Sequence, residues 1–214
     1  MTTLIFVRHG QSESNLTHRF TGQGDTPLTE LGLRQAERTA ELLRDCPIDV
    51  IYSSDLCRSM QTAQKTAQMH DLVIIPRQQL REIYAGEWES REYDEIKACY
   101  PDSYNVWLSD VGRAHPNGGE SVLALAQRVY CEVDAIVNAH PNQTVAIFTH
   151  AMPIRMLACR WQGIEPQNAR EIPFPSNASV SAVKYHADGH TELLCYGYDS
   201  HQGSDATALP SKYV

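Results

Sequence analysis

Hydrophobic positions recur along this chain in two alternating rhythms. Short β-branched or apolar runs at Leu4–Val7, Asp49–Tyr52, Leu72–Ile75 and Thr144–Phe148 predict buried strands. Between them, apolar residues at three- and four-residue spacing predict helices. Thr29 offers an N-cap to a helix reaching Arg44, with Leu33, Ala36, Ala40 and Leu43 on one face. Ser53, Ser54 and Asp55 supply capping side chains for a helix over 56–69. A helix starting near Glu120 carries Val122, Leu125, Val129, Val133, Ile136 and Val137 at helical spacing, and another covers Ala151–Trp161. Val180–Tyr185 and Thr191–Tyr196, with Asp188-Gly189 between them, predict a hairpin.

Short strands alternating with amphipathic helices imply an α/β fold: three layers, α/β/α, around a mainly parallel central sheet. No repeat, low-complexity run or linker divides residues 1–214, so a single domain is expected. Two segments break the rhythm. Residues 84–119 form an irregular excursion gathering Tyr84, Trp88, Tyr93, Tyr100, Tyr104 and Trp107. This reads either as a satellite core cluster or as a lid whose aromatics shape a binding site. From Asp199 the chain is polar and reads as a mobile tail, or as a C-terminal segment that gates a nearby site.

Composition narrows the function classes. With 42% hydrophobic and 21% charged residues, the chain is that of an ordinary soluble globular protein. A net charge of -8 gives it no general attraction for nucleic acid or an anionic membrane, so a bound anion must be held by local positive charge. No stretch reads as a membrane span or a secretion signal, and cytoplasmic residence is expected. The six cysteines are scattered without a CxxC pair and read as reduced, mostly core residues. Met60 and Met69 read as core filler. Histidines 18, 70, 115, 140, 186, 190 and 201 show no metal-ligand spacing, and neither a metal nor a cofactor is expected.

The chemistry gathers behind the strands. In open α/β sheets, ligands sit outside the carboxyl ends of the strands. The first run ends on Arg8-His9, the second leads to Arg58 in an opening helical turn, the third to Arg81-Glu82, and the fourth to Thr149-His150. Singly, each charge reads as a surface residue. Together, two guanidiniums match phosphate oxygens, a neutral imidazole can attack phosphorus, and a carboxylic acid can protonate a leaving alkoxide. That set suffices for phosphoryl transfer without a metal. Gly10, just beyond His9, permits close backbone approach or an unusual dihedral angle.

"VRHGQSESN", "RFTGQGDTPLTELGLRQA", "IYSSDLCRSMQTA", "LREIYAGEWE", "NGGES" and "THAMPIR" occur in that order. They closely resemble the histidine phosphatase superfamily, which includes cofactor-dependent phosphoglycerate mutase, over residues 2–160. The resemblance implies a phosphoglycerate mutase-like fold. It also implies that His9 is the phosphorylated histidine, that Arg8, Arg58 and His150 complete the phosphate pocket, and that Glu82 is the proton donor. Asn15, Thr21 and Gly22 match positions that contact phosphate or substrate. Ala151, where many members have glycine, presents its backbone N–H, and Ser14 replaces a residue commonly bulky. Tyr84 is placed with the substrate-binding residues through the lid reading.

The activity implied is metal-independent hydrolysis of small phosphomonoesters. "YPDSYNVW", "NGGES", "HAMPIR" and "SNASVS" are similar to segments of metal-independent phosphoserine phosphatases, so phosphoserine is the first candidate, beside broad-specificity and α-ribazole phosphate phosphatases. The alternative is a mutase-type isomerase using the same pocket. The partner expected is a small phosphorylated metabolite, with no nucleic acid and no membrane, and a homodimer stays open.

Overall fold

Leu4 to Arg8 are buried without a break, because the strand they form is covered on both faces. The structure, a computed structural model, describes residues 1–208. That strand, β1 (Thr2–Arg8), pairs in parallel with β4 (Thr144–Thr149) and antiparallel with β5 (Val180–Tyr185). With β2 (Val50–Ser53), β3 (Ile74–Pro76) and β6 (Thr191–Tyr198) they make a six-stranded sheet in the order β3-β2-β4-β1-β5-β6. The four strands from β3 to β1 run parallel, as predicted, and the predicted hairpin supplies the antiparallel edge.

The strand period of two sorts the core into two layers. Leu4, Phe6, Val145 and Ile147 face one way, against α6 (Val122–Ala139) and α7 (Ala151–Trp161). Ile5, Val7, Ala146 and Phe148 face the other, with residues of α2 (Glu30–Leu43) and α3 (Cys57–His70). A four-residue helix, α1 (Glu13–Leu16), lies between β1 and α2.

Several local expectations need correction. Leu33 is exposed; α2 instead buries Gly32, Gln35, Ala36, Thr39, Ala40 and Leu43, because its first turn packs backbone to backbone against the chain after His9. Of residues 53–55 only Ser54 bonds at the start of α3, its Oγ accepting from the Leu56 N–H at a long 3.4 Å. Asp25, from a distant loop, accepts from the Cys57 N–H at 2.7 Å, while Asp55 pairs with Arg81. Of the six cysteines, all free, only Cys159 is buried, and Met69 is exposed.

The aromatic excursion contains two helices, α4 (Tyr93–Cys99) and α5 (Pro101–Ser109). Trp88, Tyr93, Tyr104 and Trp107 are buried around Phe20, whose ring lies 5.0 Å from that of Trp107 and 5.5 Å from that of Trp88. This cluster is continuous with the main core. The polar segment from Asp199, read as a mobile tail, packs on α2 through residue 207. Gln202 is fully buried and donates to Gln35 O and Thr39 Oγ1, and Gln35 Nε2 donates to Asp205 O and Thr207 Oγ1. Polar burial of this kind has no hydrophobic signature in sequence. Residues 209–214 of the predicted tail lie outside the described residues. Among the described residues, no helix is long and apolar enough to cross a membrane.

Candidate active site

The register of the sheet brings two histidines together. Arg8 of β1 pairs with Thr149 of β4, so His9 and His150 emerge side by side one residue later, their ring centroids 5.1 Å apart. β1 then turns sharply: a Cβ on Gly10 would lie 2.6 Å from Gly32 O, so the close approach anticipated there is met, without a positive φ. Thr62 Oγ1 of α3 accepts from the Gly10 N–H at 3.0 Å and fixes the same turn.

His9 is 4% exposed, and its two ring nitrogens have different surroundings. Nδ1 lies 2.7 Å from Gly10 O, a partner that can only accept, so Nδ1 carries the proton. Nε2 is left with its lone pair, and Arg58 Nε donates to it at 3.3 Å. Burial and the neighbouring Arg58 and Arg8 guanidiniums hold this imidazole well below its ordinary range, hence neutral. His150 is fully buried and is held neutral in the same way, by burial first and then by Arg58, His9, Arg8 and Arg128. Its Nε2 lies 2.8 Å from Ser54 Oγ.

Arg58 lies in the first turn of α3, where a cation opposes the helix dipole unless an anion is near. It is held by backbone: Nη1 donates to Gly24 O at 2.7 Å and Nη2 to Gly22 O at 2.8 Å. Gly22, at φ +52°, makes the turn that presents its carbonyl. Arg8 donates from Nη1 to Pro175 O at 2.6 Å, and burial lowers its guanidinium to about 10. Arg8 Nε and His150 Nδ1 are buried with no partner among the described residues.

Opposite the histidines stands Glu82. Its carboxylate accepts from Ile83 N–H at 2.8 Å and Met152 N–H at 3.3 Å. Burial nevertheless raises its pKa, outweighing those two bonds and the pull of Arg58 and Arg8. Asn15 Oδ1 accepts from Ser12 N–H and Asn177 Nδ2, which leaves the Asn15 amide nitrogen as the donor toward the cleft. Ser14 is buried beneath it and bonds to Thr26 Oγ1 at 3.1 Å. Ala151 is the first residue of α7, so its N–H has no partner within the helix.

These groups meet in one cleft. Arg8, His9, Asn15, Thr21, Gly22, Arg58, Glu82 and Ala151 line it, and His150 lies beside His9 without lining it. Tyr84 does not line it. Ile83 takes that place, and Tyr84 turns outward, 46% exposed, with its N–H on Glu120 Oε1.

The remaining wall is Arg19, Phe20, Ile83, Tyr93, Trp107, Met152 and Phe174. Tyr93 and Trp107 were visible as members of the aromatic excursion, so that segment is at once core and cleft wall. Phe174 carries no sequence signal; Arg155, buried and with its guanidinium 4.1 Å over the Phe174 ring, holds it. Among the described residues, no three of His, Cys, Asp and Glu gather to hold a metal ion.

Known proteins resemble this chain in sequence and in fold. The family model of the histidine phosphatase superfamily (branch 1) matches residues 4–197. Phosphoserine phosphatase 1 of Hydrogenobacter thermophilus is 34% identical over 165 residues, 77% of this chain and 78% of its own. The adenosylcobalamin/alpha-ribazole phosphatase of Salmonella typhimurium is 33% identical over 73% of this chain and 78% of its own. A probable phosphoglycerate mutase GpmB of Proteus mirabilis is 31% identical over 86% of each chain. Among solved structures, Bacillus stearothermophilus YhfR superposes with a TM-score of 0.90 at 29% identity, covering 94% of this chain and all of its own. A mycobacterial glucosyl-3-phosphoglycerate phosphatase, solved with VO3, gives 0.84 at 30% identity, covering 92% of this chain and 99% of its own.

Proposed function

The chain belongs to the histidine phosphatase superfamily, branch 1, and from that footing we propose that it hydrolyses small phosphomonoesters through a phosphohistidine at His9. The observation that carries the reading is the state of the His9 ring: Nδ1 committed to Gly10 O, and Nε2 unprotonated beside a guanidinium. In the first step Nε2 attacks phosphorus and the P–O bond to the leaving alcohol breaks. Glu82 gives its proton to the departing oxygen. Arg8, Arg58, Asn15 and the Ala151 N–H surround the equatorial oxygens and offset their charge, with His150 beside the His9 ring. In the second step water attacks phosphorus, the P–N bond breaks, and Glu82 takes the water's proton.

Water, rather than a second substrate hydroxyl, is the acceptor in this reading. A mutase must hold a highly anionic ligand while it reorients, which calls for surplus positive charge at the rim. Arg19, on the cleft wall, is tied to Glu92 at 2.8 Å; in the excursion Arg91 is tied to Glu95 and Arg113 to Asp110 at 3.4 Å, with Lys97 the remaining lysine or arginine, while Glu87, Glu89 and Asp94 add negative charge. A metal is not called for, since the two guanidiniums supply the charge that a divalent ion supplies elsewhere. Activity should therefore survive exhaustive EDTA treatment; loss restored by Mg²⁺ or Zn²⁺ would contradict this.

Phosphoserine is the first substrate to test, on the strength of the sequence resemblance and the Hydrogenobacter relative. The apolar wall of Phe20, Ile83, Tyr93, Trp107, Met152 and Phe174 argues for including esters with larger apolar leaving groups in the same panel. The deciding experiment measures inorganic phosphate release across that panel against interconversion of 2- and 3-phosphoglycerate, with and without 2,3-bisphosphoglycerate. Phosphate release faster than isomerisation is expected, and the reverse would make the chain a mutase.

A further inference from the structure

Glu82 sits on a stretch that no strand holds. Between β3 and the 3₁₀ turn Gly86–Trp88, the chain has only a second 3₁₀ turn, Gln78–Leu80. A carboxyl that must meet a leaving oxygen within hydrogen-bond distance needs its backbone fixed by something else.

That support comes from outside the cleft wall. Arg128, in the second turn of α6, reaches across to this stretch. Its Nη1 donates to Gln79 O at 2.7 Å and Arg81 O at 3.1 Å, and its Nη2 donates to Glu82 O at 3.3 Å. The same guanidinium pairs with Glu120, from Nη2 at 2.6 Å and Nε at 3.3 Å. Glu120 in turn accepts from the Tyr84 N–H at 2.9 Å, and its own N–H donates to Tyr84 O at 2.8 Å. The backbone is thereby pinned immediately before, at and two residues after Glu82. Both side chains are only 18% exposed, so the pair is largely shielded from solvent. Only a planar guanidinium can serve three carbonyls and a carboxylate together; an ammonium has three donors on one atom.

We propose that the Glu120–Arg128 pair is the positioning device of the proton donor, setting the reach of the Glu82 carboxyl toward the leaving oxygen. The inference rests on Glu82 being that donor. Neither residue touches the cleft, so phosphate binding and the His9 attack are left to other groups. Gln23 Nε2, which donates to Glu82 O at 3.2 Å, is the one other side chain among the described residues holding that carbonyl. A misplacement of this kind can cost about 100-fold in rate, and it should be felt only where protonation of the leaving group is needed.

The test is a double-mutant cycle read on two substrates, p-nitrophenyl phosphate and an alkyl phosphate such as β-glycerophosphate. Arg128→Ala is expected to lower kcat on the alkyl ester about 10–100-fold. On the aryl ester the loss should stay within about threefold, because nitrophenolate scarcely needs a proton. Vanadate inhibition should be unchanged. In a Glu82→Gln background the same substitution should add less than about threefold on the alkyl ester, and Arg128→Lys should restore little. Glu120→Gln keeps an acceptor for Tyr84 N–H and gives a milder form of the pattern, which covers the case in which Arg128→Ala does not fold. Equal losses on both substrates, or full additional loss without Glu82, would overturn the proposal. Should Glu82→Gln itself show no leaving-group dependence, the proton-donor assignment fails, and the positioning role falls with it.

Discussion

His9 and Glu82 show how burial moves two titrations in opposite directions within one cleft. The imidazole is driven down and the carboxyl up, by the same loss of water. This keeps the imidazole neutral and moves the carboxyl toward its acid form, the direction that phosphoryl transfer to an imidazole requires. NMR titration of the imidazole C–H protons in the free protein should therefore show no protonation of His9 or His150 around pH 6.5; a midpoint at or above that value would contradict the argument. Most of these residues were legible in the sequence because they follow strand ends within strongly marked motifs. Tyr84 was misplaced, because the side of an irregular segment that a side chain occupies depends on turns such as Gly86 at φ +55°. Phe174 was invisible, since a lone phenylalanine in a loop gives no sign of the Arg155 beneath it.

At the scale of elements, the nucleophile's position depends on a crossing of two backbones. A Cβ on Gly32 would lie 2.1 Å from Gln11 O, and one on Gly10 would lie 2.6 Å from Gly32 O. Both contacts are with backbone, which cannot rotate away. Gly32→Ala, a substitution that ordinarily favours a helix, should instead destabilise the fold by roughly 1–3 kcal/mol and displace His9. Thermal unfolding with parallel assays is the check, and a variant as stable and active as the wild type would remove the crossing from the account. Long helices and the inner strands are legible where periodicity runs for several turns or a whole strand; the edge strand β3 covers Ile74–Pro76 rather than the expected 72–75, with Val73 exposed. Helices α4 and α5 are not legible in this way, since each buries only two side chains, Tyr93 and Ile96 in one and Tyr104 and Trp107 in the other. The start of α3 was misread because its capping oxygen belongs to Asp25, 32 positions away.

For the molecule as a whole, a net charge of -8 surrounds a cleft lined by Arg8, Arg19 and Arg58, so anion binding is a local property working against the global field. The same buried groups set how stability follows pH. Unfolded, His9 and His150 take up protons near pH 6.5; folded, they do so only well below it. The stability they contribute is complete above about pH 6.5 and declines as pH falls through that value, by up to about 1.4 kcal/mol per pH unit for each imidazole. Glu82 has the opposite sign: its raised carboxyl favours the fold at low pH, a contribution lost as pH rises from 4.5 through its folded value. Urea unfolding at pH 7.5, 6.5 and 5.5 should show the fall below 6.5, and a flat profile would count against two neutral buried imidazoles. The central claim, that phosphate passes through His9 to water, is tested most directly by trapping. Brief exposure to substrate, an alkaline quench and peptide mass analysis should find one phosphoryl group on His9, formed in the first turnover and lost as inorganic phosphate appears. In His9→Ala both the adduct and most turnover should vanish. Near-normal turnover in that variant, or a phosphoryl group on any other residue, would contradict it.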